Sequence, residues 1–142
     1  ADLVGRIHAG GARFHPPLFP LVMDLTKPSP ARGVLGHWSL AATDRLGCVL
    51  VLALGFVTRT LFERDLGYLQ FRHLAAAIQP FAKRWAVVDF IPPGHPSLAD
   101  RPAPLPAWYH EAGFAEALRA CFRQVGTPVR SRSGAILFLC ER

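Results

Sequence analysis

Three continuous apolar runs constrain this chain more than anything else in it. They are Leu18–Leu25 (LFPLVMDL), Cys48–Leu54 (CVLVLAL) and Arg84–Ile91 (RWAVVDFI). None alternates apolar with polar residues, as a strand with one wet face would. Continuous runs of this length fit strands buried on both faces of a parallel sheet. The stretches between them carry helical periodicity. Roughly 57–64 and 67–82 read as helices, the second with Leu66, Leu69, Leu74, Ile78 and Phe81 at three-to-four spacing. Strands joined through helices pair in parallel, with right-handed crossovers.

The ends of the chain add to this frame. Residues 2–9 read as the close of an amphipathic helix, stopped by Gly10-Gly11. Residues 26–37 form a loop with two prolines and two glycines, and a short helical stretch is expected around 38–45. Pro92–Pro106 holds six prolines and cannot be regular; it is read either as a lid or as a long connection. A helix at about 108–121 follows. The chain then reads as a hairpin, Arg123–Val129, a turn at Arg130–Gly134, and Ala135–Cys140.

Composition excludes several classes. Half of the 142 residues are hydrophobic, enough for one domain with a real core. The longest apolar run is too short to span a bilayer, and no secretory leader pattern opens the sequence. Cys48, Cys121 and Cys140 have no C-x-x-C spacing and read as small buried hydrophobes. Nothing demands an oxidising compartment, so the cytoplasm is expected. The net charge of +6 rests on 14 Arg and 2 Lys spread along the chain. That keeps nucleic acid possible as a partner without indicating it. Six scattered histidines lack ligand spacing, so no metal site is expected.

A hairpin closing a parallel α/β sheet is an unusual ending, and it resembles the class I S-adenosylmethionine-dependent methyltransferases. The segments PLVMDLTKPSPARG, VLVLALGFVTRTLFER, RWAVVDFIPPGHP, WYHEAGFAEALRACF and SRSGAILFLCER are similar, in order and spacing, to a bacterial branch with the patterns LPLxMDLxxPSP, LALALxHHL, VVEFxPxxDP and a final LLLCEK. The resemblance implies a Rossmann-like methyltransferase sheet, mostly parallel with a C-terminal antiparallel hairpin, of order 3-2-1-4-5-7-6. Leu18–Met23 would be strand 3, Cys48–Leu54 strand 4, Arg84–Ile91 strand 5, and the hairpin strands 6 and 7. Strands 1 and 2, which carry the glycine-rich turn and the ribose-binding acid, have no counterpart. The chain is thus expected to be the C-terminal part of such a domain, inactive or incomplete by itself. Strand 4 would present an open edge able to pair with another chain. A non-catalytic domain that binds a partner through that edge is the alternative.

The resemblance also implies site residues. Asp24 would accept a hydrogen bond from the adenine amino group of S-adenosylmethionine, and the Leu25 backbone would bond a ring nitrogen. Backbone of Ala53, Leu54 and Gly55 would meet the methionine end. Thr58 and Arg59 stand where the branch has two histidines. From the residues themselves, Asp24 reads equally as the acid ordering the Asp24-Leu25-Thr26 turn, and Gly55 as a strand terminator. Arg59 could bind a carboxylate or phosphate. Trp108 and Tyr109, after the proline-rich loop, could line a substrate pocket; Trp38, Trp85 and Trp108 otherwise read as packing residues. Asp89, inside a buried strand, needs a partner. The methyl acceptor is not legible.

Overall fold

The computed structural model describes residues 23–62, 69–99 and 104–142. Within them the chain forms β1 (Cys48–Ala53), β2 (Ala82–Phe90), β3 (Gln124–Val125), β4 (Val129–Arg130) and β5 (Ile136–Glu141). The helices are α1 (Ala42–Arg45), α2 (Phe56–Phe62), α3 (Phe71–Ile78) and α4 (Glu111–Cys121), with 3-10 turns at Val34–Gly36, Gln79–Phe81 and Pro96–Leu98. The expected helix at 2–9 and most of the expected strand Leu18–Leu25 lie outside the described residues. Its last residues, from Met23, are irregular and enter a turn at Leu25-Thr26.

The strands make one mixed open sheet of order β1-β2-β5-β3, with β4 also on β5. β1 and β2 are parallel, with Leu52 beside Val87 and Ala53 beside Val88. β5 is antiparallel to β2, setting Val88 beside Phe138 and Ala86 beside Cys140. β3 and β4 are antiparallel to β5. The expectation of a mostly parallel sheet is therefore corrected: among the described strands only the β1–β2 pairing is parallel. The reason is positional. The last strand of the chain inserts between β2 and the strand that precedes it, so every pairing it makes is antiparallel.

The expected first hairpin strand is also interrupted. Val125 sits opposite Cys140 and Val129 opposite Leu137, so β3–β4 carries one residue more than β5 between those pairs. Gly126-Thr127-Pro128 absorbs it as a bulge, where Pro128 has no N–H to give. Gly126 N–H still reaches the Leu139 carbonyl at 2.8 Å.

The core lies on one face of the sheet. Ala53, Ala86, Val88, Phe90, Ile136, Phe138 and Cys140 point into it. α2 adds Val57 and Leu61, α3 adds Phe71, Leu74, Ala75 and Ile78, and α4 adds Phe114, Ala115 and Leu118. These positions recur at three-to-four spacing, the pattern that puts one helix face on a sheet. Pro80, beyond α3, tightens its end into a 3-10 turn and stops it short of the expected residue 82. The aromatic rings interlock: Phe71 meets Phe90, Trp108, Tyr109 and Phe114 at centroid distances of 5.0–5.8 Å.

The opposite face is a different environment. It carries Leu50, Leu52, Val87, Leu137 and Leu139, and Leu52 is 63% exposed. β1 has no strand partner on its outer side among the described residues. Two sequence expectations fail here. Cys48, expected to be buried, is exposed because its strand is an edge. Trp38, expected to be a packing residue, is 82% exposed. Its ring instead lies on the Gly33 turn, where a Cβ would come within 2.3 Å of it, so only glycine fits.

Candidate functional site

The carboxyl end of β1 is where the sequence concentrates its candidates. The strand stops at Ala53, which is buried; Leu54 and Gly55 are exposed. Gly55 has φ +69° and its carbonyl takes the first helical bond of α2, from Arg59 N–H at 3.1 Å. A Cβ there would meet nothing within 4 Å, so the conformation and not crowding selects glycine. The Gly55 N–H donates to Asp89 Oδ1 at 2.9 Å. This is the partner that buried Asp89 needed. Burial pushes the Asp89 carboxyl above the usual range, and the bonds from the Gly55 and Asp89 backbone pull it partly back. Thr58 Oγ1, in the first turn of α2, is buried and has no hydrogen-bond partner among the described residues.

A cleft of about 200 Å³ opens against α2, lined by Met23, Asp24, Leu25, Phe56, Arg59 and Thr60. The fold thus brings together Asp24, Leu25 and Arg59, which sequence reasoning had singled out separately. Asp24 Oδ1 accepts from Thr26 N–H at 2.9 Å and from Thr26 Oγ1–H at 2.7 Å. It orders its own turn, as the Asp24-Leu25-Thr26 pattern allowed, while it faces the cleft. Phe56 and Thr60 belong to the same wall and had no signal in the sequence beyond the helical spacing of Phe56, Arg59 and Thr60.

Trp108 and Tyr109 part company. Tyr109 is buried, and its hydroxyl donates to the Ile91 carbonyl at 2.8 Å. That bond ties the far end of the proline-rich loop to its start. Trp108 is half-buried and lines a separate concavity of about 440 Å³ with Gln70, Phe71, Arg72, His110, Gly113, Glu116, Ala117 and Ala120. Trp108, read from the sequence as able to line a pocket, does line one; the only other sequence signal for this second site is the run of small residues Gly113, Ala117 and Ala120 at three-to-four spacing.

The start of the proline-rich loop is anchored as well. His95 Nδ1 accepts from Ser97 N–H at 3.1 Å, and His95 Nε2 lies 2.6 Å from the Ser133 carbonyl in the turn before β5. Among the described residues no three His, Cys, Asp or Glu side chains converge as a metal site. None of the helices described is long and apolar enough to cross a membrane.

Comparison with known proteins returned no matching family model, no matching curated protein and no matching solved structure. The class the described residues define is therefore an α/β domain with a mixed open sheet.

Proposed function

We propose that this chain is the C-terminal part of a class I S-adenosylmethionine-dependent methyltransferase domain, incomplete as a catalyst by itself. One observation carries the reading: the order β1-β2-β5-β3, in which the final strand inserts antiparallel between β2 and its own hairpin partner. That order corresponds to 4-5-7-6 of the methyltransferase sheet. Strands bearing the glycine-rich turn and the ribose-binding acid would then pair along the outer edge of β1.

The residues present fit one end of the cofactor. The cleft beside Asp24 and Leu25 is about 200 Å³, below the size of a pocket that encloses a drug-sized ligand. It would take the adenine end, with Asp24 and the Leu25 backbone as its polar contacts. Ala53, Leu54 and Gly55 would supply backbone toward the methionine end. Asp89 holds the Gly55 N–H, which fixes that turn but leaves this donor committed. S-adenosylmethionine brings an already activated methyl group, so the protein's share is alignment and exclusion of water. No acid–base pair is required, and the methyl acceptor stays undefined.

The second reading is a non-catalytic domain that binds a partner chain at β1. The exposure of Val49, Leu50 and Leu52 on a strand of core composition favours it. S-adenosylhomocysteine titration separates the two. The polypeptide encoded by the whole gene should bind it saturably, and Asp24→Ala should weaken binding about tenfold, the effect of losing one good polar contact of about 1.4 kcal/mol. Residues 1–142 alone should show little thermal stabilisation at millimolar ligand. Absence of binding by the whole gene product would overturn the methyltransferase reading.

A further inference from the structure

We propose that the concavity between α3 and α4 binds a small zwitterion with an apolar body, of the amino-acid class. It shares no residue with the cleft beside Asp24 and stands independently of the methyltransferase reading. Its volume of about 440 Å³ falls within the range of pockets that enclose small molecules.

The lining divides into two chemistries. Phe71, Trp108, Ala117 and Ala120 form an apolar wall, and the Phe71 and Trp108 rings meet edge to face at 5.0 Å. That contact holds Trp108 in place. Gly113 and the two alanines keep the α4 side shallow, which is why a concavity exists there. Around this wall stand one cation and one anion, Arg72 and Glu116. Neither has a hydrogen-bond or ion-pair partner among the described residues, whose ion pairs involve other side chains.

His110 adds a defined donor. Its Nδ1 accepts from Gly113 N–H at 2.9 Å, which in the neutral ring places the proton on Nε2. The backbone donor at this helix start is therefore already satisfied, and the groups left for a ligand are side chains. A carboxylate is recognised by Arg72 with His110, an ammonium by Glu116, and a hydrocarbon or aromatic side chain by the wall. A simple anion would leave Glu116 opposing it, and a simple cation would face Arg72. Only a ligand carrying both charges complements both residues.

The test uses L-phenylalanine as probe, with 3-phenylpropionate and phenethylamine as the analogues lacking one charge each. Amide and indole shifts of Gly113 and Trp108 are followed by NMR. L-Phenylalanine should give saturable shifts at both, and each analogue should bind at least about tenfold more weakly. Ala120→Trp, at an exposed position, should plug the concavity and abolish the shifts. Arg72→Gln should bring L-phenylalanine and phenethylamine to similar affinity, and Glu116→Gln should do so for 3-phenylpropionate. Both are exposed, so folding is not at stake. No saturable shift by about 10 mM, equal binding of the singly charged analogues to the unaltered protein, or binding that survives Ala120→Trp would overturn the proposal.

Discussion

Asp89 in the middle strand holds the Gly55 N–H at 2.9 Å, so one buried carboxylate fixes the turn that joins β1 to α2. The two residues are far apart in sequence and meet because β1 and β2 run parallel in register, Ala53 beside Val88. Whatever binds at the carboxyl end of β1 meets a turn set by this bond. It also gives the domain a pH-dependent element, since Asp89 is 7% exposed and its carboxyl is raised chiefly by burial.

A group whose folded pKa lies above its unfolded value contributes stability at low pH and loses it as pH rises through the folded pKa. Asp89→Asn keeps an oxygen for Gly55 and removes the buried charge. Its urea midpoint should therefore gain on the unaltered protein as pH rises from about 4 to about 7. Asp89→Ala should instead lose about 0.5–1.5 kcal/mol at acid pH, because the Gly55 N–H loses its hydrogen bond. A constant difference between the Asn variant and the parent across that range would contradict the assignment.

Tyr109→Phe should cost about 1 kcal/mol in equilibrium unfolding. The ring stays packed between Phe71 and Phe90, but the Ile91 carbonyl loses its 2.8 Å donor. Limited proteolysis within residues 92–106 should become faster in the same variant, because that bond closes the loop on itself. An unchanged cleavage rate would show that the loop is held elsewhere.

Leu52 and Phe138 should behave in opposite ways. Phe138 is buried under α4 and stacks edge-on with Phe114, so Phe138→Ala should cost about 3–5 kcal/mol. Leu52→Lys, on the exposed face of an edge strand, should change stability by no more than about 0.5 kcal/mol. Any self-association of the unaltered protein through β1 should fall in the variant by sedimentation velocity, since a charge on an edge strand blocks pairing. A large loss of stability for Leu52→Lys would mean that this face is covered.

The three thiols should separate by reactivity. Cys140 is fully buried, and burial pushes its thiol up to about 11; Cys121 is half-buried and also raised; Cys48 is exposed. Native-state alkylation followed by mass spectrometry should modify Cys48 first and Cys140 only when the chain unfolds. Early modification of Cys140 would show that β5 opens locally.

The strands expected at Cys48–Leu54 and Arg84–Ile91, helices α2 to α4 and the closing hairpin were legible in the chain to within a few residues, because each rests on local periodicity and on where glycine and proline interrupt it; the bulge that splits the first hairpin strand was not. Asp24 as the organiser of its own turn was legible for the same reason: the Thr26 partners lie two residues away. What periodicity by itself could not supply was neighbourhood; strand order came only with the resemblance. Pairing direction follows from the insertion of β5 beside β2. The exposure of Cys48 and Leu52 follows from β1 lying at an edge of the sheet formed by the described residues. The meeting of Asp24 and Arg59 in one cleft, of Arg72 and Glu116 in one concavity, and of Gly55 and Asp89 in a hydrogen bond also depends on chain segments distant in sequence. An apolar strand reads alike at the centre of a sheet and at its rim, and only the packed structure decides which side of it meets water.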